Sequence, residues 1–322
     1  MKTFFTLTLF LVTATGALAQ RQNVYFIKNN GKYVDSRDSA DYMRIVREPD
    51  SASTLYNILE YYRNGAQKLI SKSSKLNPPQ FEGICATFYP NGKKRSVVNY
   101  KNGVQAGADM EFYPNGKLYA HFSFPENNTD RTADRAGNYL IIANNDSLGN
   151  AQVTDGNGYY KGYNDEFAYI EEEGTVKDGK RNGGWKGNLQ KIGTTFIETY
   201  NNGQLVTGTS TNKEGRVNNY TTSRWVSPQF EGGIPGFSSF LSANLKYPND
   251  ARRNEVEGTV ILRFVVEKDG SLTDIRVSKS VAPVLDAEAV RVLRKSPKWI
   301  PGTQFGEPAR VIYAVPVKFV LQ

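Results

Sequence analysis

Between Thr259 and Glu267 the chain alternates with a period of two. Val260, Leu262, Phe264 and Val266 fall on one side; Ile261, Arg263 and Val265 fall on the other. That is the spacing of a strand with one buried face. Asp269-Gly270 follows, a turn signal that suits a tight hairpin, and Ile275 and Val277 continue on a second strand. Leu285, Ala289, Val292 and Leu293 then recur at i, i+4, i+7 and i+8, the apolar stripe of a helix. Asp286 and Glu288 stand early in it, and Arg291, Arg294 and Lys295 stand late, each at the end that the helix dipole favours. Pro297 stops the helix.

A third strand follows Trp299-Ile300-Pro301-Gly302. Val311, Tyr313, Val315, Val317, Phe319 and Leu321 share one face, and Arg310, Ile312, Ala314 and Lys318 share the other. Pro316 interrupts this strand. It has no N–H to give a ladder, so the strand is expected at a sheet edge with position 316 facing outward. Strand, strand, helix and edge strand make a small α+β domain, one sheet with helices on one side.

These residues resemble the C-terminal domain of the TonB family, the energy transducers of Gram-negative outer-membrane import. The likeness is carried by Tyr247-Pro248, Gly258, Phe264, Asp269-Gly270, Leu285-Asp286, Glu288-Ala289, Pro297, Trp299, Pro301-Gly302, Gly306-Glu307-Pro308 and Pro316-Val317-Lys318-Phe319. The opening Pro228-Gln229-Phe230-Glu231-Gly232-Gly233 is similar to the Bacteroidetes version of the family. The resemblance implies a three-stranded antiparallel sheet with two helices. It also implies a non-enzymatic protein that binds the N-terminal segments of outer-membrane receptors by strand addition. Carried onto this chain, the partner-binding residues are Leu245, Lys246, Tyr247 and Pro248, with Val311, Ile312, Tyr313, Ala314 and Val315 along the edge.

Ahead of this domain one phrase recurs. It reads Tyr62-Arg63-Asn64-Gly65, Tyr89-Pro90-Asn91-Gly92, Tyr100-Lys101-Asn102-Gly103, Tyr113-Pro114-Asn115-Gly116 and Tyr200-Asn201-Asn202-Gly203. Asn-Gly tolerates positive φ at both turn positions. Each phrase therefore predicts an aromatic-bearing strand, a tight turn and a return strand. Tyr89 and Tyr113 stand 24 residues apart with Tyr100 near the midpoint, which suits stacked hairpins. The phrases resemble degenerate bacterial MORN-type repeats, and Glu173 to Gly179 and Gly183 to Gly187 are similar to weaker copies. The expected organisation is a leader over 1–19, an all-β hairpin-repeat array over 20–222, a linker over 223–236 and the TonB-like domain over 237–322.

The leader is read from Met1-Lys2, an apolar run from Phe4 to Val12, and Ala17-Leu18-Ala19 before Gln20. This is the pattern of a secretory signal cut between Ala19 and Gln20, and it is short for a membrane span. The expected location is periplasmic; the alternative is an inner-membrane anchor with the leader uncut. Family members that couple to a proton-driven motor keep a membrane helix and a Pro-rich spacer, whereas this chain has 14 Pro and no Pro-rich run.

The formal charge is +8, but the Lys and Arg are scattered and no nucleic-acid motif is present, so nucleic acid is not an expected partner. The one cysteine, Cys85, allows no intrachain disulfide and is expected to be a half-buried structural residue. The one histidine, His121, stands without the companions that a catalytic dyad or a zinc site requires. Asp155-Gly156-Asn157-Gly158 is a turn rather than a calcium loop, and Glu171-Glu172-Glu173 is a solvated charge run. No enzyme activity and no cofactor are expected. Three functions remain: a TonB-like binder of envelope partners, a scaffold whose repeats bind peptidoglycan, lipid or another envelope protein, or full energy transduction with the N-terminus uncut.

Overall fold

The computed structural model of the chain describes residues 21–127 and 139–321. The expected leader, with its cut between Ala19 and Gln20, lies outside the described residues. The chain divides into two compact units, Met1–Asp155 and Gly156–Gln322.

The first unit is a strand meander. Its strands are β1 (Gln22–Ile27), β2 (Tyr33–Val34), β3 (Tyr42–Arg47), β4 (Tyr56–Tyr62), β5 (Gln67–Ser73), β6 (Phe81–Phe88), β7 (Lys94–Lys101), β8 (Val104–Phe112), β9 (Leu118–Phe124), β10 (Leu140–Asn145) and β11 (Ala151–Thr154). β1 pairs with β2 and β3, and from β3 to β10 each strand pairs antiparallel with the next. Alternation sends Val46, Ile58, Leu69 and Cys85 into one buried cluster. Cys85 is buried outright rather than half-buried, and burial pushes its thiol pKa up, away from the reactive thiolate.

Two kinds of turn replace the single kind expected. At Asn102 and Asn202 the residue before glycine is left-handed, with φ of 54° and 47°, as a two-residue hairpin requires. At Tyr62, Tyr89 and Tyr113 the glycine alone is left-handed. There the Tyr N–H donates to the residue after the glycine, at 2.8, 2.8 and 2.9 Å, and the glycine N–H returns to the Tyr carbonyl. This is a type I turn closed by a glycine bulge, whose twist also suits a hairpin. In each of these turns the Asn side chain accepts from the amide two residues on, Asn64 from Ala66, Asn91 from Lys93 and Asn115 from Lys117, which is what Asn contributes besides tolerance of the turn.

The tyrosines of these turns link one hairpin to the next. Tyr62 donates its hydroxyl to the Phe88 carbonyl at 2.7 Å, Tyr89 to Phe112 at 2.7 Å and Tyr113 to Asn145 at 2.9 Å. Each accepting carbonyl belongs to the residue just before the next turn of the same kind. Asn91 donates to the Pro114 carbonyl and Asn115 to that of Ser147. The recurring phrase is thus a set of hairpin-to-hairpin donors.

The second unit opens with six more meander strands, β12 (Asn157–Tyr163), β13 (Ile170–Lys177), β14 (Lys180–Leu189), β15 (Thr194–Asn201), β16 (Gln204–Thr211) and β17 (Val217–Tyr220). Each pairs antiparallel with the next. Then come β18 (Trp225–Val226), α1 (Gly233–Asn244), α2 (Asn249–Arg253), β19 (Gly258–Val266), β20 (Leu272–Lys279), α3 (Pro283–Arg294), β21 (Thr303–Gln304), β22 (Glu307–Pro308) and β23 (Val311–Phe319). Three helices stand where two were expected. The additional one is α2, a turn and a half that follows Pro248, whose fixed φ suits the entry to a helix.

β19, β20 and β23 form a three-stranded antiparallel sheet in the order β20-β19-β23. Val260, Leu262, Phe264 and Val266 from β19 are buried together with Leu285, Ala289 and Leu293 from α3 and Val315, Val317 and Phe319 from β23. The apolar faces read from the sequence are the faces that pack. Phe230 and Trp299 complete this core, their rings 5.7 Å apart and edge to face. The β19–β20 connection is again a glycine-bulge turn, Glu267 donating to Ser271 and Gly270 to Glu267, not a two-residue hairpin. Position 270 admits no side chain: a Cβ there would lie 2.0 Å from the Trp299 carbonyl oxygen.

Candidate partner-binding edge of the C-terminal sheet

β23 is one border of the three-stranded sheet, paired to β19 from Gly258↔Phe319 to Val266↔Val311. Pro316 stands opposite Ile261. A residue without an N–H fits where the backbone points away from the neighbouring strand. Antiparallel pairs alternate between bonded and non-bonded positions. Ile312 and Ala314, an even number of residues from Pro316, therefore turn their backbone N–H and C=O groups outward as well. Such a row is a template for one more strand.

The nine candidate residues divide into two groups. On β23, Val311 and Val315 are buried in the core, and Tyr313 packs against the rings of Phe264 and Trp299 at 6.2 and 5.7 Å. Ile312, 57% exposed, and Ala314 face solvent. A visitor to this border would meet the backbone together with these two side chains.

Leu245 to Pro248 lie elsewhere. They connect α1 to α2, and Tyr247 stacks edge to face on Phe319 at 5.9 Å, at the far end of β23 from Val311. The Tyr247 hydroxyl donates to the Val256 carbonyl at 2.7 Å, and the Lys246 amide donates to Glu288 at 2.6 Å. Glu288 also holds Arg291 at 2.6 Å, and that hydrogen bond, ahead of the cost of partial burial, keeps its carboxyl pKa low. The segment is fastened to α3 and to the core. The structure does not bring it beside Val311–Val315.

What sequence reasoning missed is how the loop that leads into β23 is seated. The loop between β21 and β22 carries Phe305, held in a left-handed conformation at φ 51°. Phe305 stacks on Phe196 at 5.4 Å and meets the edge of Tyr220 at 5.9 Å. Its N–H donates to the Arg224 carbonyl at 2.6 Å, and its own carbonyl accepts from Ser210 Oγ at 2.7 Å. Glu307 accepts from Asn212 and pairs with Arg216, at 2.9 and 3.0 Å. Gly306 crosses so close to β17 that a Cβ would lie 2.9 Å from the Asn219 carbonyl oxygen.

Beneath Phe305 lies a buried ionic network. Arg224 reaches Glu198 at 2.6 Å and Glu172 at 2.9 Å, and Arg181 holds Glu172 at 2.6 Å. Tyr220 and Tyr200 donate to Glu198 at 2.7 and 3.0 Å. Burial pushes the Glu172 carboxyl up, but the two guanidiniums outweigh it and hold the group at about 2. Burial raises the Tyr200 hydroxyl to about 12. Glu171-Glu172-Glu173 is therefore not a solvated run: its middle member turns inward. Arg224 and β18, which pairs Trp225 with Gln304, tie residues within 223–236 to the β21–β22 loop.

Among the described residues no group of three or more His, Cys, Asp or Glu side chains gathers as a metal site would require. No helix among them is long and apolar enough to cross a membrane.

Residues 243–321 match the family of the Gram-negative bacterial TonB protein C-terminal. Domains of this family are non-catalytic parts of transport proteins of the envelope and interact with outer-membrane receptors and other proteins. Two solution structures of the Helicobacter pylori TonB C-terminal domain are similar to this chain. One is 24% identical, with 26% of this chain and 77% of that one covered and a TM-score of 0.22. The other is 25% identical, with 27% and 91% covered and a TM-score of 0.22. A comparison with curated proteins finds no match.

Proposed function

We propose that this chain is a TonB-like envelope protein whose C-terminal domain takes up an extended segment of a partner along the free border of β23. In this reading the partner is the N-terminal segment of an outer-membrane receptor, and the protein reaches the periplasm by a leader cut between Ala19 and Gln20. The hairpin array, MORN-like in its phrases, is the scaffold that holds the domain. The observation that carries the reading is the border strand within a domain of the TonB C-terminal family. Main-chain bonds supply affinity in such an addition, and exposed side chains supply selection.

Ile312→Pro removes one outward N–H and sets a ring against the incoming strand. Titration with receptor N-terminal peptides is expected to show at least a tenfold loss of affinity, while circular dichroism stays that of the parent. Unchanged affinity in a folded Ile312→Pro protein would overturn edge pairing.

A further inference from the structure

The outward face of the C-terminal sheet has a charge pattern that the edge-binding reading does not use. Register places Arg263 directly opposite Arg276 on one side and Ala314 on the other. The next row is Lys279, Ile261 and Pro316, and Lys318 stands opposite Thr259. Arg263, Arg276, Lys279 and Lys318 are all exposed. Like charges directly opposite on a sheet repel, so this arrangement works against the fold that carries it.

The carboxylates near this face are engaged elsewhere: exposed Glu257, at the Lys318 end, accepts from the Leu321 amide. Glu267 and Asp274 are engaged by Arg310, at 3.0 and 3.1 Å. Asp274 lies 3.9 Å from Arg276 across an exposed contact, which is worth little. Among the described residues, none forms an ion pair with Arg263, Lys279 or Lys318. Apolar groups lie between and beyond the cations: Ile261, Pro316, and Ile312 and Val320, both about half exposed.

We infer that this face docks on an anionic phospholipid surface. The cations are spread over all three strands of one sheet face, and a layer of phosphates can meet them together. The interleaved aliphatic groups then enter the boundary between headgroups and acyl chains, as they do in interfacial segments.

The test is co-sedimentation of the full chain with vesicles of phosphatidylcholine containing about a third phosphatidylglycerol, against phosphatidylcholine alone. Binding is expected to the anionic vesicles, to be lost in high salt, and to be absent from the neutral ones. The triple variant Arg263→Gln/Lys279→Gln/Lys318→Gln is expected to bind at least tenfold more weakly, since each basic group near such a surface contributes roughly fivefold. A control with Lys32→Gln/Lys94→Gln/Lys101→Gln, exposed positions of the first unit, is expected to bind as the parent does. No binding to anionic vesicles at low salt would overturn the inference. Equal loss in both triple variants would overturn it too, because net charge alone would then explain binding. So would binding to soluble polyglutamate without binding to vesicles, which would point to an acidic protein partner. Receptor-peptide affinity measured on the same triple variant separates this face from the β23 border: if only the vesicle arm changes, the two are distinct.

Discussion

At the scale of single residues, Phe305 and Glu172 carry more than their neighbours. Phe305 is 6% exposed and touches rings on two strands of the meander. Phe305→Ala is expected to cost about 3–5 kcal/mol, the usual range for emptying an aromatic site, read as a lower midpoint in urea. A loss below about 1 kcal/mol would mean that the loop is not seated as described. Glu172 gives a pH dependence. Its folded pKa of about 2 lies below the ordinary 4.5, so its charged form stabilises the fold above pH 4.5. That contribution falls away as pH drops from 4.5 towards 2, and is on the order of 3 kcal/mol in full. Glu172→Gln is expected to flatten acid unfolding across this window, and an unchanged profile would remove the group from the account. Neither role was legible in the sequence. Strand alternation implies that a middle glutamate points away from its two neighbours, but its partners are Arg181 and Arg224, nine and 52 residues on. Nothing local marks those distances.

At the scale of elements, the sequence was most informative where one face is buried. The alternation of β19 and β23 and the stripe of α3 each predicted the residues that pack, because burial selects apolar side chains at the period of the backbone. Turn type was less legible. Asn-Gly serves both the two-residue hairpin and the glycine-bulge turn; the choice lies in whether Asn itself goes left-handed, as at Asn102, or remains right-handed and caps an amide, as Asn91 does. The tyrosine preceding it distinguishes neither, since Tyr100 and Tyr89 begin turns of different kinds. Its purpose at Tyr89 is the hydroxyl. Tyr89→Phe keeps the ring and removes the bond to the Phe112 carbonyl, so a loss of about 0.5–1.5 kcal/mol is expected. Amide exchange should quicken around Tyr113 more than around Tyr62; uniform protection would argue that the hydroxyl is idle.

At the scale of the whole molecule, the compact units do not divide where the composition changes. The last six meander strands belong to the same unit as the TonB-like domain, joined by the β21–β22 loop and Arg224. Native trypsin digestion tests this. Cleavage is expected after exposed Lys213, which sits in a turn, well before the bond after Arg224, whose side chain is 13% exposed. Early cutting at Arg224 would mean that residues 223–236 behave as a free tether. The family match, which begins at residue 243, excludes Phe230, although that ring belongs to the same core. A profile of the domain therefore reports less than the domain requires.

The tyrosine ladder also sets a rule for how such an array can change its size. Tyr62, Tyr89 and Tyr113 each reach forward to the hairpin that follows, and the turn after Tyr113 begins with Asp146, whose carboxylate folds back on Leu148 and Asn150 instead. Growth by duplication must therefore insert strands in pairs, upstream of that aspartate, with the new phrase beginning with its own tyrosine. A single inserted strand would place every later hydroxyl at the opposite end of its sheet, out of reach of the carbonyl it serves.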